Sequence, residues 1–207
     1  MDLFGKVVVG VVVVIVFAMI IFTAITHVSS AKKLTAQQAE TFISNYLKQL
    51  SPGAEVDIIN VTPSKLVNGS WDVFAGIIYN QTTPCPTVVI EDFDYPATNM
   101  LPRTDNVYAS NCTIYGNTSI ATVRLPAIAI ATSYQESDAA KAYVESFGYN
   151  GTAVHARFFQ NLTGSPYNPK NGTDIWIVNY TAARSNYSLY VTLNVSGNVL
   201  SNIRVQK

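Results

Sequence analysis

Histidine is nearly absent from this chain: His27 and His155 are the only two. Charge is scarce as well, with 13% Asp, Glu, Lys and Arg, about half the usual share. The 13 basic and 13 acidic residues cancel, so no basic field invites nucleic acid and no acidic tail invites basic partners. Cysteine occurs twice, at Cys85 and Cys112, and pairing the two would leave no Cys–His nucleophile. No G-x-S-x-G elbow, phosphate-binding glycine loop, H-E-x-x-H or dinucleotide fingerprint is present. His27 sits beside an apolar run and suits an interface; His155 sits in a strand candidate and reads as structural. These absences argue against an enzyme and imply no cofactor.

Asparagine followed by a hydroxyl residue two places on is abundant instead. Eleven N-x-[ST] sequons begin at Asn60, Asn68, Asn80, Asn111, Asn117, Asn150, Asn161, Asn171, Asn179, Asn186 and Asn194. The composition would give roughly three by chance, and none precedes residue 60. A sequon accepts a glycan only if the chain crosses a membrane, so the excess points to an extracytoplasmic surface. In that compartment two cysteines favour a disulfide over buried free thiols. Closing that loop would stabilise the fold by about 3.5 kcal/mol on the chain-entropy account. Cys112 is also the middle residue of the Asn111 sequon.

Residues 7–28 read VVVGVVVVIVFAMIIFTAITHV, and no charge interrupts Val7–Thr26. That length suits a helix across the hydrocarbon of a bilayer. The expectation is a single-pass signal-anchor in the cell membrane, with residues 1–6 as a short cytoplasmic tail, 7–28 contacting lipid, and the C-terminal part outside. Two alternatives compete. A cleaved signal peptide would use Ser29-Ser30-Ala31, although its apolar region would be unusually long. A pilin-like helix would instead pack in a filament core. Lys6, Lys32 and Lys33 mildly favour the opposite orientation, but long domains translocate largely regardless of charge.

The remainder is expected to be α+β, built as two tandem units over 33–118 and 133–207, with 119–132 as a linker or connecting strand. Thr35-Ala36-Gln37-Gln38 and Ser133-Tyr134-Gln135-Glu136 both read as helix-capping boxes. Apolar stripes follow each: Ala39, Phe42, Ile43, Tyr46, Leu47 and Leu50 in the first, Ala140, Tyr143, Val144 and Phe147 in the second. Asn60 and Asn68 then precede Trp71, as Asn161 and Asn171 precede Trp176. Matching motifs in one order suggest a repeat. Each unit is expected to lay a helix on an antiparallel sheet of about four strands, most clearly at Tyr187–Val195, where apolar and polar residues alternate. Thr87–Tyr95 and the strand near Val107 would form a hairpin turning between Thr98 and Asn99, bridged by the two cysteines.

Asn171–Lys207, with its paired strands, the Ser196-Gly197-Asn198 turn and Val199-Leu200, resembles a PepSY module, a small extracytoplasmic cystatin-like α+β unit. The resemblance covers 133–207 and, more loosely, 35–116. It implies a non-catalytic module that binds or restrains peptidases. The acidic residue common at that turn in the family is absent here. In layout the chain also resembles archaeal type IV pilins, although Gly5 precedes Lys6, the reverse of their leader order.

One carboxylate cluster, Glu91-Asp92-Phe93-Asp94, stands out. On a strand Asp92 and Asp94 share a face, opposite Glu91. They are weak candidates for a Ca²⁺ site or a glycosidase-like pair; a polar strand face approaching a turn is the favoured expectation. Pro126 disfavours a central strand over Leu125–Ala131. Altogether the residues suggest a membrane-anchored, N-glycosylated binding or scaffolding protein whose partner is an unknown extracellular protein. The alternatives are a subunit self-associating into a pilus-like filament, or a peptidase regulator.

Overall fold

A computed structural model describes residues 34–97, 101–115, 125–162 and 172–207. These contain nine strands in two antiparallel sheets and three short helices. Helix α1 (Ala36–Leu50) precedes β1 (Glu55–Pro63), β2 (Trp71–Tyr79), β3 (Thr87–Tyr95), β4 (Thr104–Ser110) and β5 (Thr113–Ile114). Helices α2 (Pro126–Glu136) and α3 (Asp138–Phe147) precede β6 (Thr152–Leu162), β7 (Gly172–Ala182), β8 (Tyr187–Asn194) and β9 (Val199–Gln206). In both sheets the strands lie in sequence order, β1 to β5 and β6 to β9.

This overturns the expected fold class. The described residues are mostly antiparallel sheet rather than the expected α+β arrangement, and no transmembrane helix lies among them. The first sheet has five strands, because a tight turn at Asn111-Cys112, both at positive φ, folds β5 back on β4. Such φ values at both central residues match the twist of a two-residue hairpin. No helix among the described residues is long and apolar enough to cross a membrane. The run 7–28, the tail 1–6, His27, Lys32 and Lys33 lie outside the described residues.

The largest departure is at Leu125–Ala131, where a linker or connecting strand was expected. Pro126 instead opens α2, where its missing N–H costs nothing. Every residue from Ala127 to Ser133 is buried, so this helix shows no amphipathic stripe. Leu125, Ala127, Ile128 and Ala131 pack with Ile78, Val88, Ile90 and Ala109 of the first sheet. Ala129 and Ile130 pack with Val154, Trp176, Val178 and Leu193 of the second. Helix α2 thus serves two cores. Ile128 and Ile130, with Leu125 just before the helix, each contribute roughly 1.5–3 kcal/mol of burial.

The other face of the first sheet meets α1. Ala39, Ile43 and Leu47 are buried, Phe42 stacks on Tyr95, and Tyr46 meets the edge of Phe93. The second expected capping box is displaced. Ser133 is buried inside α2, and the N-cap of α3 is Ser137, whose hydroxyl accepts from the Ala140 N–H at 3.1 Å. Ala140, Tyr143 and Val144 then turn inward, and Gly148 ends the helix at φ 81°.

Candidate functional site

The sequons are distributed by topology. Asn60 and Asn161 are exposed on the outermost strands β1 and β6. Asn68, Asn80, Asn111, Asn150 and Asn186 are exposed in connections between elements. Asn80 and Asn111 adopt positive φ, a conformation asparagine tolerates well, so the same residue shapes the turn and offers the acceptor amide. Asn194 is half-buried, and its Oδ1 accepts from the N–H groups of Ser196 and Asn198 at 3.0 and 2.9 Å. Its Nδ2, the atom a glycan would join, is not used in these bonds. Asn179 is half-buried in β7, flanked by His155 of β6 and Tyr190 of β8. Asn117 and Asn171 lie outside the described residues.

Residues of three sequons, those of Asn80, Asn150 and Asn179, line one cleft of about 560 Å³, through Thr82, Asn150, Thr152 and Thr181, beside Tyr149 and Lys207. Here the β2–β3 connection meets the start of β6. The Val154 N–H donates to the Thr82 carbonyl at 2.8 Å, and the Tyr149 hydroxyl lies 3.0 Å from Thr83 Oγ1. Thr152, the hydroxyl residue of the Asn150 sequon, donates to the Gly148 carbonyl at 2.9 Å.

Cys85 and Cys112 form a disulfide with Cα atoms 4.5 Å apart, within the usual range. It ties the β2–β3 connection to the β4–β5 turn, just beyond the β3–β4 ladder. The expected turn centre at Thr98–Asn99 lies outside the described residues.

Asp92 and Asp94 do share one face, but they are buried rather than solvated. The β2–β3 register sets Asp72 directly opposite Asp94 and Phe74 opposite Asp92. Arg103, just before β4, reaches into this group. Its Nε donates to Asp92 Oδ2 at 3.0 Å, its Nη2 contacts the same oxygen, and its Nη1 lies 3.5 Å from Asp72 Oδ1. The hydrogen bond to Asp92 pushes the Arg103 pKa above its ordinary value. A guanidinium thus sits where a metal ligand set would need its cation. Among the described residues no group of three or more His, Cys, Asp or Glu side chains could hold a metal. Glu91 points to the other face, where burial and then the facing Asp105 raise its pKa. Sequence reading missed Asp72 and Arg103. An aspartate inside the apolar run of β2 was the available signal for the first; only strand register reveals the second.

No family model, no curated protein and no solved structure matches this chain.

Proposed function

We propose that this is an extracytoplasmic N-glycosylated protein, held at the cell surface by its apolar N-terminal run, with a non-catalytic binding or scaffolding role. The observation that carries the reading is the placement of the sequons. Asn60, Asn68, Asn80, Asn111, Asn150, Asn161 and Asn186 are all exposed, on outermost strands or connections. An exposed acceptor can carry a glycan without disturbing the core, and the eleven sequons exceed the roughly three that the composition gives by chance. The scarcity of surface charge supports the same reading, since glycans supply the hydration that charges otherwise give. Peptide mass spectrometry of the protein from its native host tests it. Glycans are expected at the turn acceptors Asn68, Asn80, Asn111, Asn150 and Asn186, and least at mid-sheet Asn179. Unmodified peptides at every sequon would overturn the proposal.

A further inference from the structure

The outer edges of the two sheets are unequal. β1 carries the Asn60 sequon, a register slip between Ile58 and Asn60, and Pro63 at its end. β5 has two residues and includes Thr113 of the Asn111 sequon. β6 carries Asn161, and its Val154 N–H is already taken by Thr82. Bulges, short strands and proline are the usual means of blocking an exposed edge, and a glycan adds bulk. β9 has no sequon, no proline and no glycine. Its one irregularity lies between Val199 and Ser201, leaving Ser201–Gln206 in regular register.

The ladder fixes which groups of β9 face outward. The Lys207 N–H donates to the Asn186 carbonyl at 2.9 Å, so these two form a hydrogen-bonded pair. Alternation then makes Ser188–Val205, Tyr190–Ile203 and Thr192–Ser201 the next hydrogen-bonded pairs. The N–H and C=O groups of Asn202, Arg204 and Gln206 therefore point away from β8. All three residues are exposed, and no described strand pairs with them.

We propose that β9 pairs antiparallel with β9 of a second copy of this chain, about a two-fold axis normal to the sheet, joining two sheets into one. The glycan part of the argument rests on the extracytoplasmic reading above; the hydrogen-bonding part does not. Such an axis sets residues of the same face opposite each other, so the strand must be complementary to itself. Centring on Arg204 would oppose two guanidinium groups. Centring on Asn202 would set the irregular Leu200 against Arg204. Centring on Ile203 avoids both: Ile203 meets Ile203 of the second copy, Asn202 meets Arg204, and Ser201 meets Val205. The outward groups of Asn202 and Arg204 then bond reciprocally across the seam. This is strand addition, in which main-chain bonds supply affinity. In this register the two Arg204 side chains are diagonal rather than directly opposite, and Arg204 does not face Lys207.

The test uses the full-length chain in density-matched detergent. Sedimentation is expected to show a concentration-dependent dimer. Ile203→Cys should cross-link between copies under mild oxidation, because facing Cβ atoms in a non-hydrogen-bonded pair lie about 5 Å apart. Ser201→Cys, which faces Val205, should not. Arg204→Thr, made in the native host, completes an N-x-T sequon at Asn202; a glycan there should abolish the dimer. A wild-type monomer at every concentration, or equal cross-linking by both cysteine variants, would overturn the pairing. Intact mass of the same samples reads glycosylation separately. A glycosylated monomer sinks the pairing alone, and an unglycosylated dimer sinks the surface reading alone.

Discussion

The hydroxyl of Ser133 lies 2.5 Å from the phenol oxygen of Tyr180, joining the helix between the two sheets to the second sheet's central strand β7. Both residues are completely buried. The Ser133 hydroxyl also donates to the Ile130 carbonyl at 2.9 Å, so in this pair the phenol donates and Ser133 accepts. Both groups are out of reach of solvent, so the bond ties helix to strand.

Its titration makes a prediction. Burial raises the Tyr180 pKa far above its ordinary value near 10. The folded chain therefore keeps this proton while the unfolded chain releases it above about pH 10. Stability is full below that pH and falls by up to about 1.4 kcal/mol per pH unit above it. Urea unfolding at pH 8, 10 and 11 should show the fall. Tyr180→Phe should cost about 1 kcal/mol at pH 8 and then flatten the alkaline slope. An unchanged slope in the variant would assign the alkaline loss elsewhere.

Arg103 holds the charge balance of the first sheet. Removing it as Arg103→Ala leaves Asp72 and Asp92 facing Asp94 with their cation gone. Breaking a buried pair by deleting one partner costs about 3–5 kcal/mol; Arg103 keeps 30% of its side chain exposed, so about 2–3 kcal/mol is expected. Arg103→Ala combined with Asp92→Asn should recover part of the loss, since the orphaned charge disappears too. Denaturant midpoints of the two variants decide it: a double variant no more stable than the single one would refute the ion-pair account.

How far the residues alone reveal this arrangement depends on the range of each interaction. The stripe of α1 and the alternation of β8 are local, and Ala39, Ile43, Leu47, Leu189, Val191 and Leu193 all turn inward as their spacing implies. Ser133 and Ser137 show the limit of local rules. Both precede helical sequence with suitable spacing, and only the burial of Ser133 against Tyr180 excludes it as a cap. Helix α2 was illegible for a related reason. Buried on all sides, it has no polar face, so its apolar run resembles a strand or linker. The Asp72–Arg103 contact depends on the β2–β3 and β3–β4 registers, which no local pattern encodes. Asn60 and Asn161 could be recognised as acceptors from sequence, but their place on sheet edges could not.

Joining residues 27 apart in sequence, the Cys85–Cys112 bridge restricts the unfolded chain. Replacing both residues by serine should lower stability by about 3–4 kcal/mol. Because the bridge lies beyond the last β3–β4 pair, the ladder itself should survive, and circular dichroism at low temperature should stay unchanged. Thermal unfolding with and without a reducing agent gives the parallel measurement on the wild type. Equal melting temperatures in the two conditions would show that the bridge adds nothing to stability.

The β8–β9 turn is fitted to α2 at a single point. Gly197 adopts φ 83°, and a Cβ there would lie 2.9 Å from Thr132 Cγ2. Gly197→Ala therefore meets two separate costs: a backbone conformation that side chains resist, roughly 1 kcal/mol, and a collision with a buried threonine. The second cost can be isolated. Thr132→Ser deletes Cγ2 but retains the hydroxyl that donates to the Ile128 carbonyl at 2.8 Å. In the double variant the collision is gone and only the backbone cost stays. A double-mutant cycle by urea unfolding should give a favourable coupling of about 0.5–1 kcal/mol. Strict additivity would mean that the turn moves away from the helix to accept the methyl group, and that Gly197 is held by its backbone angle alone.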